Sequence, residues 1–325
     1  MHRRNLVAAA LMSGASLLLP SVAAAQAYPS KPIKFIVPYA AGGQPDVIAR
    51  VLSRGLTDRI GQPVVIENKP GAAGSAAYNT LLQSQPTDGH TFIVSDGAML
   101  SISPLINKTT NYKLGKDLLP VALVGRTALY LVAHPKTGVS NLQEFLAAVK
   151  KNPGGYTYGS SGIGSNHHLT MEALKSALNL DIRHVPYKGS GQSTPALVSG
   201  QVDFSVAALP SISGFVQSGQ VKLLASNAAS RSPMTPDIPP IADLVPGFDF
   251  APVLVVLAAP GTPQFAIDRI SRELTEVVKN PDVLKGLHAG GVEPIGAGPA
   301  ETSRVLAREV EAMAKAARAA DLKPE

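Results

Sequence analysis

Twice along this chain, short runs of β-branched and aromatic residues alternate with segments of helical periodicity, across loops built from Gly, Ala and Ser. The first pass opens with Ile33 to Val37 (IKFIV), followed by the loop Pro38-Tyr39-Ala40-Ala41-Gly42-Gly43-Gln44. Val47, Ile48, Val51, Leu52 and Leu56 then recur at the spacing of one helix face; Pro45 and Asp46 suit its first turn and Gly61 its end. Val64-Val65-Ile66 reads as a strand and Asn68 to Gly74 as a glycine-rich loop into a second helix. Thr91 to Val94 reads as a third strand after the turn Pro86-Thr87-Asp88-Gly89. The second pass runs Tyr156 to Tyr158, a loop through Ser165, a helix from Asn166 to Leu178, strand Ile182 to Val185, a helix through Val198, strand Val202 to Val206, a helix near Ile212 to Gln217 and strand Lys222 to Ala225. Parallel strands can be joined only by a crossover, so this alternation predicts α/β units with helices covering parallel sheets.

The two passes share a plan and not residues. The Pro-rich stretch Pro233 to Pro246 reads as a surface connection; strand Val253 to Leu257, a helix from Pro263 to Lys279 and an amphipathic helix carrying Val305, Leu306, Val310 and Met313 follow it. We therefore expect two lobes, residues 26–124 with 250–325 and residues 125–249, facing each other across a cleft. The chain crosses between them at least twice, near 120–130 and 246–253, and the C-terminal helices complete the first lobe.

The N-terminus reads as an export signal, residues 1–25. Met1 to Asn5 is basic, Leu6 to Leu19 is largely apolar, Pro20 breaks the run, and Ala23-Ala24-Ala25 supplies small residues for cleavage before Gln26. The apolar run is shorter than the ~20 residues a membrane span needs, so the expected location is periplasmic. Part of the formal charge of +6 is Arg3 and Arg4, which cleavage removes. The remainder is too mild, with no Lys/Arg run, to suggest nucleic acid as a partner. Charged residues are 16% and hydrophobic residues 45% of the chain, which excludes a charge-driven disordered protein. With no Cys, disulfides, iron–sulfur clusters, thiolate zinc, a thiol nucleophile and a lipid-bearing N-terminal cysteine are also excluded.

In open parallel sheets, ligands bind beyond the carboxyl ends of the strands. There the sequence places Pro38 to Gln44, Ser95 to Met99, Ser160 to Ser165, Pro186 to Gly191 and Ala207 to Pro210. Small residues let a ligand approach the backbone, and helix starts offer unpaired N–H groups with partial positive charge. Together the loops suit a carboxylate without requiring Arg or Lys. Asp46 has two readings, a helix-start carboxylate or a cleft-facing acceptor. No G-x-S-x-G, G-x-G-x-x-G or P-loop pattern is present, so no catalytic residue is assigned and no cofactor is expected. His168 and Glu172 share a helix face but lack a third ligand, and no metal is expected; His168 is read as orienting the Ser160–Ser165 loop by hydrogen bonding. His134 and His184 are read as structural. The rival reading is an exported hydrolase using Ser160 or Ser165 with His168, but no acid is identifiable to orient the histidine.

The segments YPSKPIKFIVPYAAGG with Asp46, GQPVVIENKPGAAGS (61–75), PTDGHT (86–91), YGSSGIGS with His168-Leu169, HVPYKGS (184–190), GQVDF (200–204) and APGTP (259–263) resemble the Bug (TctC-like) family, the extracytoplasmic receptors of tripartite tricarboxylate transporters. The resemblance covers nearly everything from Tyr28 to Leu322. It implies a type II periplasmic-binding-protein fold, with a hinge and a ligand buried by closure. Carried over, the ligand contacts are Tyr39, Ala41, Gly42, Gly43, Asp46, Ser95 and Ala98 from the first lobe, and Ser160, Ser161, Gly164, Ser165, Asn166 and Ala207 from the second. This chain departs from the family at Gln44 and Pro45, where a third Gly and a Thr or Ser are common, and at Ala251 to Leu254, where an aromatic is common. The implied partners are a small carboxylate and the membrane permease subunits of a tripartite transporter, or a membrane sensor in their place. The receptor is expected to be a monomer and no enzyme.

Overall fold

In β1 (Ile33–Val37) the side chains of Ile33, Phe35, Ile36 and Val37 are all buried, as a strand covered on both faces requires. The computed structural model that shows this describes residues 28–71, 74–84, 87–108 and 112–323; the expected leader, 1–25, lies outside them. After β1 come α1 (Gln44–Ile60), β2 (Val64–Asn68), α2 (Ser75–Gln83) and β3 (Thr91–Asp96). β1 pairs in parallel with both β2 and β3. Two short helices, α3 (Ala98–Ser101) and α4 (Ser103–Ile106), precede β4 (Leu119–Arg126). Thr127 and Ala128 then carry the chain directly into β5 (Leu129–Ala133), which belongs to a different sheet. That sheet is built from β5, α5 (Leu142–Lys151), β6 (Thr157–Ser160), α6 (Asn166–Leu178), β7 (Arg183–Pro186), α7 (Ser190–Val198), β8 (Phe204–Ala208), α8 (Leu209–Gln217) and β9 (Lys222–Ser226). The chain returns through residues 227–252 to β10 (Val253–Ala258), α9 (Gln264–Val277), α10 (Pro281–Ala289), β11 (Glu293–Ala297) and α11 (Pro299–Ala319).

The strand orders are β11-β4-β10-β3-β1-β2 and β7-β6-β8-β5-β9. The fold is thus α/β with two lobes, but neither sheet is purely parallel, which corrects the expectation from sequence. β10 runs antiparallel to β3 and β4, and β5 antiparallel to β8 and β9. The reason lies in how the chain crosses. β10 begins where its neighbours end, with Val253 beside Arg126 and Leu254 beside Asp96. A strand arriving from the other lobe at that edge has no crossover helix behind it and must run back along the sheet.

Each sheet is covered on both faces. Apolar residues of α1, α9 and α10 pack on one face of the six-stranded sheet, and residues of α2 and α11 on the other. In the second lobe α5 and α6 cover one face, α7 and α8 the other. α11 does more than complete the first lobe. Its Met313, Ala316 and Ala317 also pack on Leu169 of α6 and on Ile102, so it spans both lobes. No helix among the described residues is long and apolar enough to cross a membrane.

Candidate ligand-binding site

The carboxyl ends of β1, β2 and β3 lie side by side because these strands are parallel, and their loops are tied together there. Asp46, in the first turn of α1, is 2% exposed. Its Oδ2 accepts from the Gly42 N–H at 2.8 Å and from Arg50 Nε at 3.0 Å, and its Oδ1 accepts from Asn68 Nδ2 at 2.9 Å. Asn68 Nδ2 also donates to the Tyr39 carbonyl at 3.0 Å, which fastens the β1–α1 loop to the end of β2. Burial pushes the Asp46 carboxyl up, but Arg50, the Gly42 amide and Asn68 outweigh it and hold it below its ordinary value. Tyr39 reaches the end of β3, donating from its hydroxyl to Asp96 Oδ1 at 2.8 Å. Gln44 donates to the Gly290 carbonyl at 2.7 Å and to Thr127 Oγ1 at 3.2 Å, joining the loop to the first lobe crossing.

In the second lobe, β6 ends at Ser160 and the loop to α6 turns through Gly162 and Gly164, both at positive φ. Ser165 caps α6, accepting from the His168 N–H at 3.2 Å and donating from Oγ to the Gly162 carbonyl at 2.7 Å. The Gly164 N–H donates to His168 Nδ1 at 3.1 Å, the loop-orienting bond expected for His168. Ser160 Oγ lies 2.7 Å from His184 Nε2, and Ser161 Oγ pairs with His167 Nδ1. Behind the loop the rings of Tyr158, His184 and His168 are stacked, with centroids 4.7 and 4.2 Å apart. Burial, with help from His168 and Lys175 and against Glu172, pushes the His184 ring down to about 4; burial alone takes His167 to about 4. Both imidazoles are therefore neutral at pH 7.

Between these two loop systems lies a cavity of about 810 Å³. Tyr39, Gly42, Ser161, Gly164, Ser165 and Asn166 line it as the sequence suggests. The other expected residues stand beside it. Ala41 and Gly43 flank Gly42, with Ala41 exposed. Asp46 sits behind Gly42, Ser95 is fully buried next to the lining residue Asp96, and Ser160 is buried next to Ser161. Ala207 is buried next to the lining residue Ala208, and Ala98 starts α3. Lining residues outside the expected contacts include Asp96, which lies in the singled-out loop Ser95 to Met99, and Ile102, Ile106, Thr127, Leu254 and Gly290. Asp96 was within reach, being the last residue of a strand whose end was already singled out. Thr127 and Leu254 come from the crossing strands, and nothing local in the sequence brings them to the loops.

The lobes touch at the cavity rim. A Cβ placed on Gly164 would lie 2.6 Å from Ile106 Cγ2, and one on Gly291 would lie 2.8 Å from the Pro210 ring. The site thus offers hydroxyls, amides and the starts of α1 and α6 on facing lobes. Neither Ser160 nor Ser165 hydrogen-bonds to the His168 ring among the described residues, so the pair the hydrolase reading needs is not assembled.

The family model for tripartite tricarboxylate transporter receptors matches residues 48–321. The chain belongs to this receptor family. Receptors of tripartite transporters are periplasmic solute-binding proteins, and that is the role of this chain. Protein BugT of Bordetella pertussis is 34% identical over 289 residues, 88% of each chain. Among solved structures, Rpa4515 of R. palustris with adipate is 28% identical, with a TM-score of 0.77 over 92% of this chain and 100% of that one. MatC from Rhodopseudomonas palustris with bound malate is 26% identical, with a TM-score of 0.71 over 89% of this chain and 100% of that one.

Proposed function

We propose that this TctC-family receptor captures a small carboxylate between its lobes and hands it to the membrane permease of a tripartite transporter. The observation that carries this reading is the convergence of two loop systems, one from each lobe, on a single cavity rich in uncharged donors. Backbone N–H groups at helix starts and side-chain hydroxyls favour a carboxylate head without a fixed cation. The carboxylates held by the similar proteins Rpa4515 and MatC support the same class. In this reading residues 1–25 are a cleaved leader, and the lobes are 26–124 with 250–325 and 125–249. In the same reading Asp46 and Ser160 hold the lining loops, which their bonds support, and the receptor releases its ligand unchanged. Micromolar affinity asks for about 8 kcal/mol net, which several charge-assisted hydrogen bonds at ~1.5–3 kcal/mol each supply after ordering costs.

A ligand bound only by the folded state raises the melting temperature. We expect a panel of small carboxylic acids at millimolar concentration to contain members that raise it by several degrees, and mass spectrometry of natively purified protein to find an organic acid. A broad panel that leaves the melting curve in place argues against carboxylate binding.

A further inference from the structure

The walls of the interlobe cavity differ in charge. On the second-lobe side the lining is Ser161, Ser165 and Asn166 at the start of α6, next to the neutral His167 ring. On the first-lobe side uncharged groups such as Gly42, Gln44 and Ser103 are joined by Asp96, with the Tyr39 hydroxyl donating to its Oδ1 at 2.8 Å. Among the described lining residues Asp96 is the one carboxylate, and none is Lys or Arg. Ile102, Ile106, Leu129 and Leu254 add apolar wall to the same cavity. Asp96 is thus the negative point on a described lining otherwise made of uncharged polar and apolar groups, and any part of a ligand that reaches it meets that charge.

Asp96 already bears on a nearby acid within the protein. Glu309 of α11 is buried, taking hydrogen bonds from Ser101 Oγ at 3.0 Å and the Val253 N–H at 3.3 Å. Burial above all, with smaller contributions from the charges of Asp96 and Asp249 and against those bonds, pushes its carboxyl up to about 8. Burial and Asp96 likewise hold the proton on Tyr39. A second carboxylate on a ligand would meet the same field, with no cationic side chain on the described lining to offset it.

We propose that Asp96 is a specificity-determining residue that makes this receptor prefer carboxylic acids with one negative charge and an apolar body over dicarboxylates. The proposal rests on the carboxylate reading above and narrows it. Like charges several ångströms apart in a partly desolvated site repel by enough to separate affinities about tenfold or more.

The test is calorimetric titration of the purified receptor at pH 7.5 with acids matched in length: hexanoate against adipate, octanoate against suberate, and adipate against its monomethyl ester. The ester differs from the diacid at the far end alone, so wild-type protein suffices for that comparison. We expect each singly charged member to bind about tenfold or more tightly than its diacid, and Asp96→Asn to narrow the gap to about threefold. A wild-type receptor that binds the diacids as tightly or more tightly overturns the proposal and leaves the carboxylate reading standing. An unchanged gap in a folded Asp96→Asn protein overturns the assignment to Asp96. No binding by any acid of either kind, extended to a broad carboxylate panel, overturns the carboxylate reading and this one with it.

Discussion

Asp46 acts on the cavity without lining it. Its two oxygens collect the Gly42 amide, Asn68 and Arg50, and through them set the shape of the β1–α1 loop. From the sequence it had two readings, helix start or cleft acceptor, and both are local guesses. What separates them is Asn68, distant in the chain, which arrives only when β2 pairs with β1. Removing the carboxylate takes one acceptor from the Gly42 N–H, from Arg50 and from Asn68, which keeps the Tyr39 carbonyl. Asp46→Ala is therefore expected to destabilise the fold by about 1–2 kcal/mol in urea unfolding and to weaken ligand binding as Gly42 is released. Because the folded carboxyl sits below its ordinary value, its contribution is present above about pH 4 and fades as acid protonates it below that.

The helices differ in how far the sequence alone specifies them. α6 was legible because its start is local: a glycine-rich loop through Ser165 precedes it, and the structure shows Ser165 capping it. α5 and α10 went unread, although Asn141 and Asn280 cap them and Val149 and Leu287 anchor their buried faces. α11 was legible as amphipathic, but its buried acid was not, because a Glu is ordinarily solvent-facing on a helix. Glu309 is buried between α11, α3 and β10 and keeps its proton up to about pH 8. The unfolded chain releases that proton near pH 4–5, so the folded state binds more protons in between and loses stability as pH rises. We expect the unfolding free energy to fall by about 1 kcal/mol from pH 7 to 8, and the slope to flatten in Glu309→Gln. Urea titrations of both proteins across that interval decide it, and equal slopes would remove Glu309 as the cause.

At the scale of the molecule the two crossings matter most, and one side chain clasps both. Asn227 is fully buried; its Oδ1 accepts from the Leu129 N–H at 2.8 Å and its Nδ2 donates to the Phe250 carbonyl at 2.7 Å. Its own backbone bonds the same two residues, at 2.8 and 2.9 Å. One crossing is thereby pinned to the other at the edge where both sheets face the cavity. Asn227→Ala strands an amide N–H and a carbonyl, and is expected to cost about 2–4 kcal/mol. Because the clasp ties the two crossing segments together, the variant should also show faster amide exchange around residues 127–129 and 250–253. Exchange unchanged there, with stability lost, would make Asn227 a packing residue and no more.

By itself the sequence determined the units. Strand–loop–helix order, glycine-rich turns and the apolar faces are properties of near neighbours, and so were the lobes' helical covering and the small, uncharged character of the loops. Only the tertiary structure decided which strands run backward, that α11 spans both lobes, that Asn227 joins the crossings, and that Asp96 supplies the negative charge on the cavity wall. Each of these depends on residues far apart in the chain being brought within hydrogen-bond or packing distance. Local pattern carries no information about that meeting, because it is fixed by how whole faces are buried against one another.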